Sequence, residues 1–174
     1  MDRSAALSTA ALLVGLFAVM TALFAVFRPG VGTSDARGAE VRARVEMREQ
    51  QLRLHMVLFQ RYVEKLALAR QAENRPLAAF YAGEIERNAM RVVEGRYEYG
   101  TVDLSAIAAE VALPRAQALV AATEAPDDAD VEAAFARMID GCNQCHRRAG
   151  IRWIAIQAQP APGSYPSQSF APVR

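Results

Sequence analysis

The two cysteines of this chain stand in one run, Cys142-Asn143-Gln144-Cys145-His146. Two thiols three positions apart can reach the two vinyl groups of one porphyrin and become thioethers. The imidazole that follows can then turn to the iron. This C-x-x-C-H spacing is the pattern of covalent c-type haem attachment, with His146 as the proximal iron ligand. Three other chemistries use paired cysteines. A thioredoxin-like C-x-x-C needs a βαβ setting and a lowered thiol pKa, whereas the flanks here read as helix. A structural zinc site needs two further ligands, and the only other histidine is His55. A disulfide across three residues closes almost no loop and stabilises little. Covalent haem, one per chain, is the expectation.

The sixth iron position decides what such a haem does. His55 and Met56 lie side by side, and consecutive helical residues point about 100° apart, so only one can face the iron. Histidine on both faces gives a low potential, methionine raises it, and an apolar residue leaves a site open to a small gas. His55 as ligand, Met56 as ligand, and an open site with His55 hydrogen-bonded at the margin all remain open. Arg147, Arg148 and Arg152 suit haem propionates or a solvated basic turn. Trp153 suits a cover for the haem edge or a packed tail residue. Tyr97 and Tyr99 fall in a loop, and Met90 and Met138 read as core.

These residues need elements to hold them. From Pro29 onward 18 Arg or Lys face 18 Asp or Glu, and no basic block points to nucleic acid. Ser4 to Phe27 carries no charge and is long enough to span ~30 Å of hydrocarbon. Residues 1–28 read as an uncleaved N-terminal membrane anchor, because signal h-regions are shorter and end in a small-x-small site. Charge bias slightly favours the opposite orientation, with Arg28, Arg37, Arg42 and Arg44 behind the span. Haem attachment, which occurs outside the cytoplasm, overrides it and puts the domain on the periplasmic side of the inner membrane. Residues 29–39, rich in glycine, read as a flexible linker.

Residues 40–156 read as one all-α domain, a four-helix bundle. Val45, Leu52, Phe59 and Leu66 recur every seven residues along a first helix from about Glu40 to Ala72. Asn74 and Pro76 start a second helix with Leu77, Tyr81, Ile85, Ala89 and Val92 inside, ended by Gly95. Asp103 caps a third, carrying Leu104, Ile107, Val111, Leu119 and Val120, which Pro114 should kink or divide. Pro126, Asp127 and Asp128 start the fourth. It places Val131, Phe135, Met138, Cys142, Cys145 and His146 on one face before Gly150. Residues 157–174, with Pro160, Pro162, Gly163, Pro166 and Pro172, read as an extended surface tail.

Over residues 40–150 this order resembles the cytochrome c prime group of four-helix-bundle cytochromes, on the strength of Cys142, Cys145 and His146 in the last helix. The resemblance implies an antiparallel bundle with haem between its helices. It departs at Ala149 and Gly150, where that group has an aromatic and a basic residue, and in the anchor and the tail. A second resemblance is to small helical c-type cytochromes, carried by His55, Leu77 to Tyr81, Glu84 to Glu86, and Tyr165 to Phe170. The function expected is one-electron transfer without catalysis, beside redox-partner proteins or within a membrane electron-transfer complex. The alternative is a five-coordinate haem that binds nitric oxide or carbon monoxide.

Overall fold

The computed structural model describes residues 33–125, 128–157, 159–160 and 164–172. The anchor expected over 1–28, the start of the linker, and Pro126 and Asp127 lie outside the described residues. The chain divides into two units, Met1–Glu46 and Met47–Arg174. Of the first, residues 33–46 are helical, and 35–46 are almost wholly exposed. Helix α1, Thr33–Gln71, runs through the division. Residues 33–39, expected as part of a flexible linker, are helical. Asp35 favours the first turn, and Arg44 pairs with Glu40 at 2.7 Å one turn along. These offset the ~1 kcal/mol that Gly38 costs in a helix.

Among its described residues the second unit is mainly helical, with one hairpin of two-residue strands. The later half of α1 buries Phe59, Val63 and Leu66. Val45 continues their seven-residue series but is 52% exposed. Helix α2, Arg75–Glu94, begins at Asn74, whose side chain accepts the Leu77 N–H, and has Pro76 in its first turn. It buries Tyr81, Ile85, Ala89 and Val92. After Gly95 the hairpin pairs β1 (Glu98–Tyr99) with β2 (Val102–Asp103) antiparallel, turning at Gly100 with φ 61°. Before it, Tyr97 is buried; its N–H donates to Ser105 Oγ at 2.8 Å, and that hydroxyl donates to the Val92 carbonyl.

Helix α3, Leu104–Glu124, starts on Asp103, which accepts the Ala106 N–H at 2.9 Å. As expected from the proline, the α-helical geometry is interrupted: a stretch over Leu104–Ile107 and a longer one over Leu113–Glu124, with Pro114 in its first turn, are joined without a loop. The turn before the proline, Ala108–Ala112, widens to π geometry, so that the Leu113 N–H bonds the Ala108 carbonyl. The wider turn removes the conflict between the proline ring and the carbonyl four residues back. Among the described residues α3 is long and apolar enough to cross a membrane by length and composition. It packs on α2 and α4 and buries Ile107, Val111 and Leu119 there, as a core helix does. Helix α4, Asp128–Arg148, buries Val131, Phe135 and Met138.

The described residues of the tail lack regular structure and lie against α1 and α2. Asn74 Nδ2 donates to the carbonyls of Phe170 and Ala171, Tyr165 donates to Glu64 at 2.7 Å, and Gln168 donates to the Tyr81 hydroxyl. Lys65 Nζ sits 4.9 Å from the Tyr165 ring centroid and 5.7 Å from that of Tyr81.

Space alone requires the glycine at position 95. A Cβ on Gly95 would fall 2.2 Å from Tyr97 Cε2. Gly95→Ala is expected to lower stability by ~1–3 kcal/mol, the usual cost of overpacking a core. Denaturant unfolding of the two proteins reads this difference, and equal midpoints would contradict it.

Candidate haem site

The face of α4 that buries Phe135 and Met138 continues into Cys142, Cys145 and His146, all half-buried. Residues three and four apart share a helical face, so the core-facing stripe carries both thiols and the imidazole inward. The helix stops just after them. Gly150 takes φ 79°, and the Ile151 N–H reaches back to the His146 carbonyl at 2.8 Å. This glycine-dependent C-terminal turn returns the chain over the end of α4.

The returning strap closes a cavity of about 220 Å³. Its walls are Leu52, Met56, Val57, Phe59, Gln60 and Val63 of α1, Val92 of α2, Leu104, Ala108 and Ala112 of α3, and Met138, Cys142, Cys145 and His146 of α4, with Ile151, Ile154 and Ile156 from the strap. The small residues Ala108 and Ala112 bound the π turn, so the widened turn and short side chains both leave room there. The volume lies below the roughly 300–1,000 Å³ common for ligand pockets. Enlarging it means moving the strap, since the other walls are packed helices.

The two residues between the cysteines tie the motif to its surroundings. Asn143 and Ile156 bond reciprocally: Asn143 Nδ2 donates to the Ile156 carbonyl at 3.0 Å and Asn143 Oδ1 accepts its N–H at 2.7 Å. Gln144 Oε1 accepts from Arg115 at 2.9 Å, and the same guanidinium donates to the Val111 carbonyl. Arg115 crosses over Gly141, where a Cβ would lie 2.4 Å from its Cδ. Neither Arg115 nor Gly141 stands out in the sequence, because their pairing depends on the α3–α4 approach.

His146 Nδ1 lies 3.3 Å from the Ile154 carbonyl. A carbonyl only accepts, so Nδ1 carries the proton and Nε2 keeps its lone pair. A metal-binding histidine commonly has this arrangement. Burial also holds His146 below its ordinary pKa, against the opposing pull of the Ile154 carbonyl, which favours the neutral ring. Burial, and then the neighbouring Cys145, push Cys142 up to about 12, and burial raises Cys145 as well. A thioredoxin-like pair needs the opposite shift. Among the described residues no three His, Cys, Asp or Glu side chains gather as a zinc site requires.

Met56 lines the cavity with the motif and His55 does not. His55 faces a separate shallow pocket with Arg91, Glu94 and Tyr97, and its Nδ1 bonds Asn88 Oδ1 at 2.7 Å. Met138 is fully buried and also lines the cavity. It lies eight residues from His146 on one helix, ~12 Å along the axis, so it cannot stand opposite that ring. Met90, expected in the core, is 41% exposed. Trp153 is 76% exposed and Tyr99 stands out on the hairpin. Arg148 pairs with Glu110 at 2.8 Å and Arg147 with Asp140 at 3.8 Å.

A thiol held at about 12 instead of 9.0 has about a thousandfold less thiolate at pH 8, a decade for each pH unit. Cys142 of the folded, pigment-free chain is expected to react with iodoacetamide at least a hundredfold more slowly than in urea. Equal rates in the two states would contradict this environment.

No protein-family model, curated protein or solved structure matches this chain.

Proposed function

We propose that this protein is a membrane-anchored c-type cytochrome that transfers single electrons. In this reading residues 40–156 form a four-helix bundle of the cytochrome c prime kind, and residues 1–28 hold it at the periplasmic face of the inner membrane. One observation carries it: a single apolar cavity is lined by both free thiols, by His146 and by Met56. Cys142 and Cys145 would hold one haem through thioethers, and His146 Nε2 and Met56 Sδ would hold its iron. When bound, the haem supplies an iron that accepts and returns one electron.

The chain's own residues do the rest. Ile154 fixes the tautomer of His146 through its carbonyl. Leu52, Phe59, Val63 and Ile151 exclude water, which stabilises a neutral imidazole and a thioether sulfur as ligands. The Asn143–Ile156 pair keeps the strap closed. An anchor would confine the haem to a layer beside membrane partners and raise its effective concentration there.

A redox titration of the purified pigment, followed by its spectrum with and without carbon monoxide, tests this function. The expected result is one reversible one-electron wave and a ferrous spectrum that carbon monoxide leaves unchanged. Ready uptake of the gas by the unaltered protein would overturn electron transfer through a closed six-coordinate haem and favour gas binding.

A further inference from the structure

His55 is the one histidine outside the motif, and a second helix holds both its ring and its backbone. Asn88 of α2, fully buried, donates from Nδ2 to the His55 carbonyl at 2.8 Å. That bond turns Asn88 Oδ1 toward the imidazole, where it accepts the Nδ1 proton at 2.7 Å. The Tyr97 ring lies 5.6 Å from the His55 ring, and Gly95 leaves room for that tyrosine.

A residue gripped at ring and carbonyl cannot rotate about the helix axis. Its neighbour is then fixed about 100° further round. Here that neighbour is Met56, which lines the cavity. A buried asparagine with both side-chain groups satisfied is costly to disturb, because either partner's loss leaves a polar group without its bond.

We infer that Asn88 is a positioning residue for the iron's second axial ligand: by clamping His55 to α2 it directs Met56 into the cavity and withholds the imidazole. The inference rests on Met56 as that ligand. Asn88 touches neither haem nor iron in this scheme and acts through His55. Without the clamp, α1 can turn, and a methionine thioether, an imidazole or neither then faces the iron.

The test uses the full-length, pigment-loaded protein in detergent. The near-infrared sulfur-to-iron charge-transfer band and carbon monoxide uptake are read for the unaltered chain, Asn88→Leu, His55→Leu, the double variant and His55→Gln. Expected is loss of most of the sulfur band in both leucine variants, with the double variant no worse than either single one. His55→Gln, whose amide N–H can replace the Nδ1 donor, is expected to retain most of the band. Asn74→Ala, which removes the cap at the far end of α2 and its two bonds to the tail, controls for general loss of stability and is expected to keep the full band.

A full sulfur band in Asn88→Leu would overturn the inference and leave the haem reading intact. Equal loss in Asn74→Ala would also overturn it, by showing that any destabilisation suffices. A sulfur band absent from the unaltered protein would overturn both the inference and Met56 ligation. Should Asn88→Leu fail to fold, His55→Leu against His55→Gln gives the same decision.

Discussion

Met56→Leu is expected to abolish the sulfur-to-iron band and open the ferrous haem to carbon monoxide. Leucine fills a similar volume, and such swaps usually cost less than ~1.5 kcal/mol in a core, so the fold should survive. The iron would lose its thioether, and neither of the other sulfur or imidazole side chains nearby is placed to replace it. Met138 lies on the same helix as His146, and His55 is bonded to Asn88. Methionine opposite histidine raises the potential of a haem. Its loss is expected to lower the midpoint on the order of 0.1 V, within the roughly 0.8 V range that axial ligands set. An unchanged band and potential in Met56→Leu would remove Met56 from the iron.

Cys142→Ala with Cys145→Ala is expected to leave no pigment on the denatured chain, a total loss. Either single variant should keep one thioether and a chain-bound pigment at reduced yield. The two thiols differ in setting: Cys142 is the more strongly raised, under burial and its neighbour, while Arg148 partly offsets the effect of burial on Cys145. Heme-dependent peroxidase staining of denaturing gels separates the three variants. Staining of the double variant equal to that of the unaltered chain would show attachment elsewhere.

Much of the helical order was legible because its signals are local. Asn74 before Pro76, Asp103 before the third apolar run, and Gly150 after His146 each act within one turn, and each caps or ends a helix where the sequence places it. The proposed haem motif could be read for the same reason, since it lies within five consecutive residues. Which of His55 and Met56 shares the cavity with the cysteines was not legible. The two are neighbours on one helix, and what separates them is Asn88, 33 residues later on α2. Val45 shows a different limit. Periodicity marks which face of a helix is apolar but not where its burial stops, so a seven-residue series that is buried at Phe59 and Leu66 is exposed at Val45. Pro114 signalled an interruption, and the backbone supplies one as a π turn over Ala108–Ala112, a form that the proline alone does not specify.

Covalent attachment is the measurement that bears most directly on the whole account. The full chain would be produced with a c-type haem maturation system, purified, denatured, and extracted with acidified acetone. Its mass and spectrum would then be recorded. The pigment is expected to stay with the polypeptide, and the chain mass to exceed that of the sequence, less any segment removed, by one haem. Complete extraction of the pigment, or a colourless chain with both thiols free to react, would contradict it.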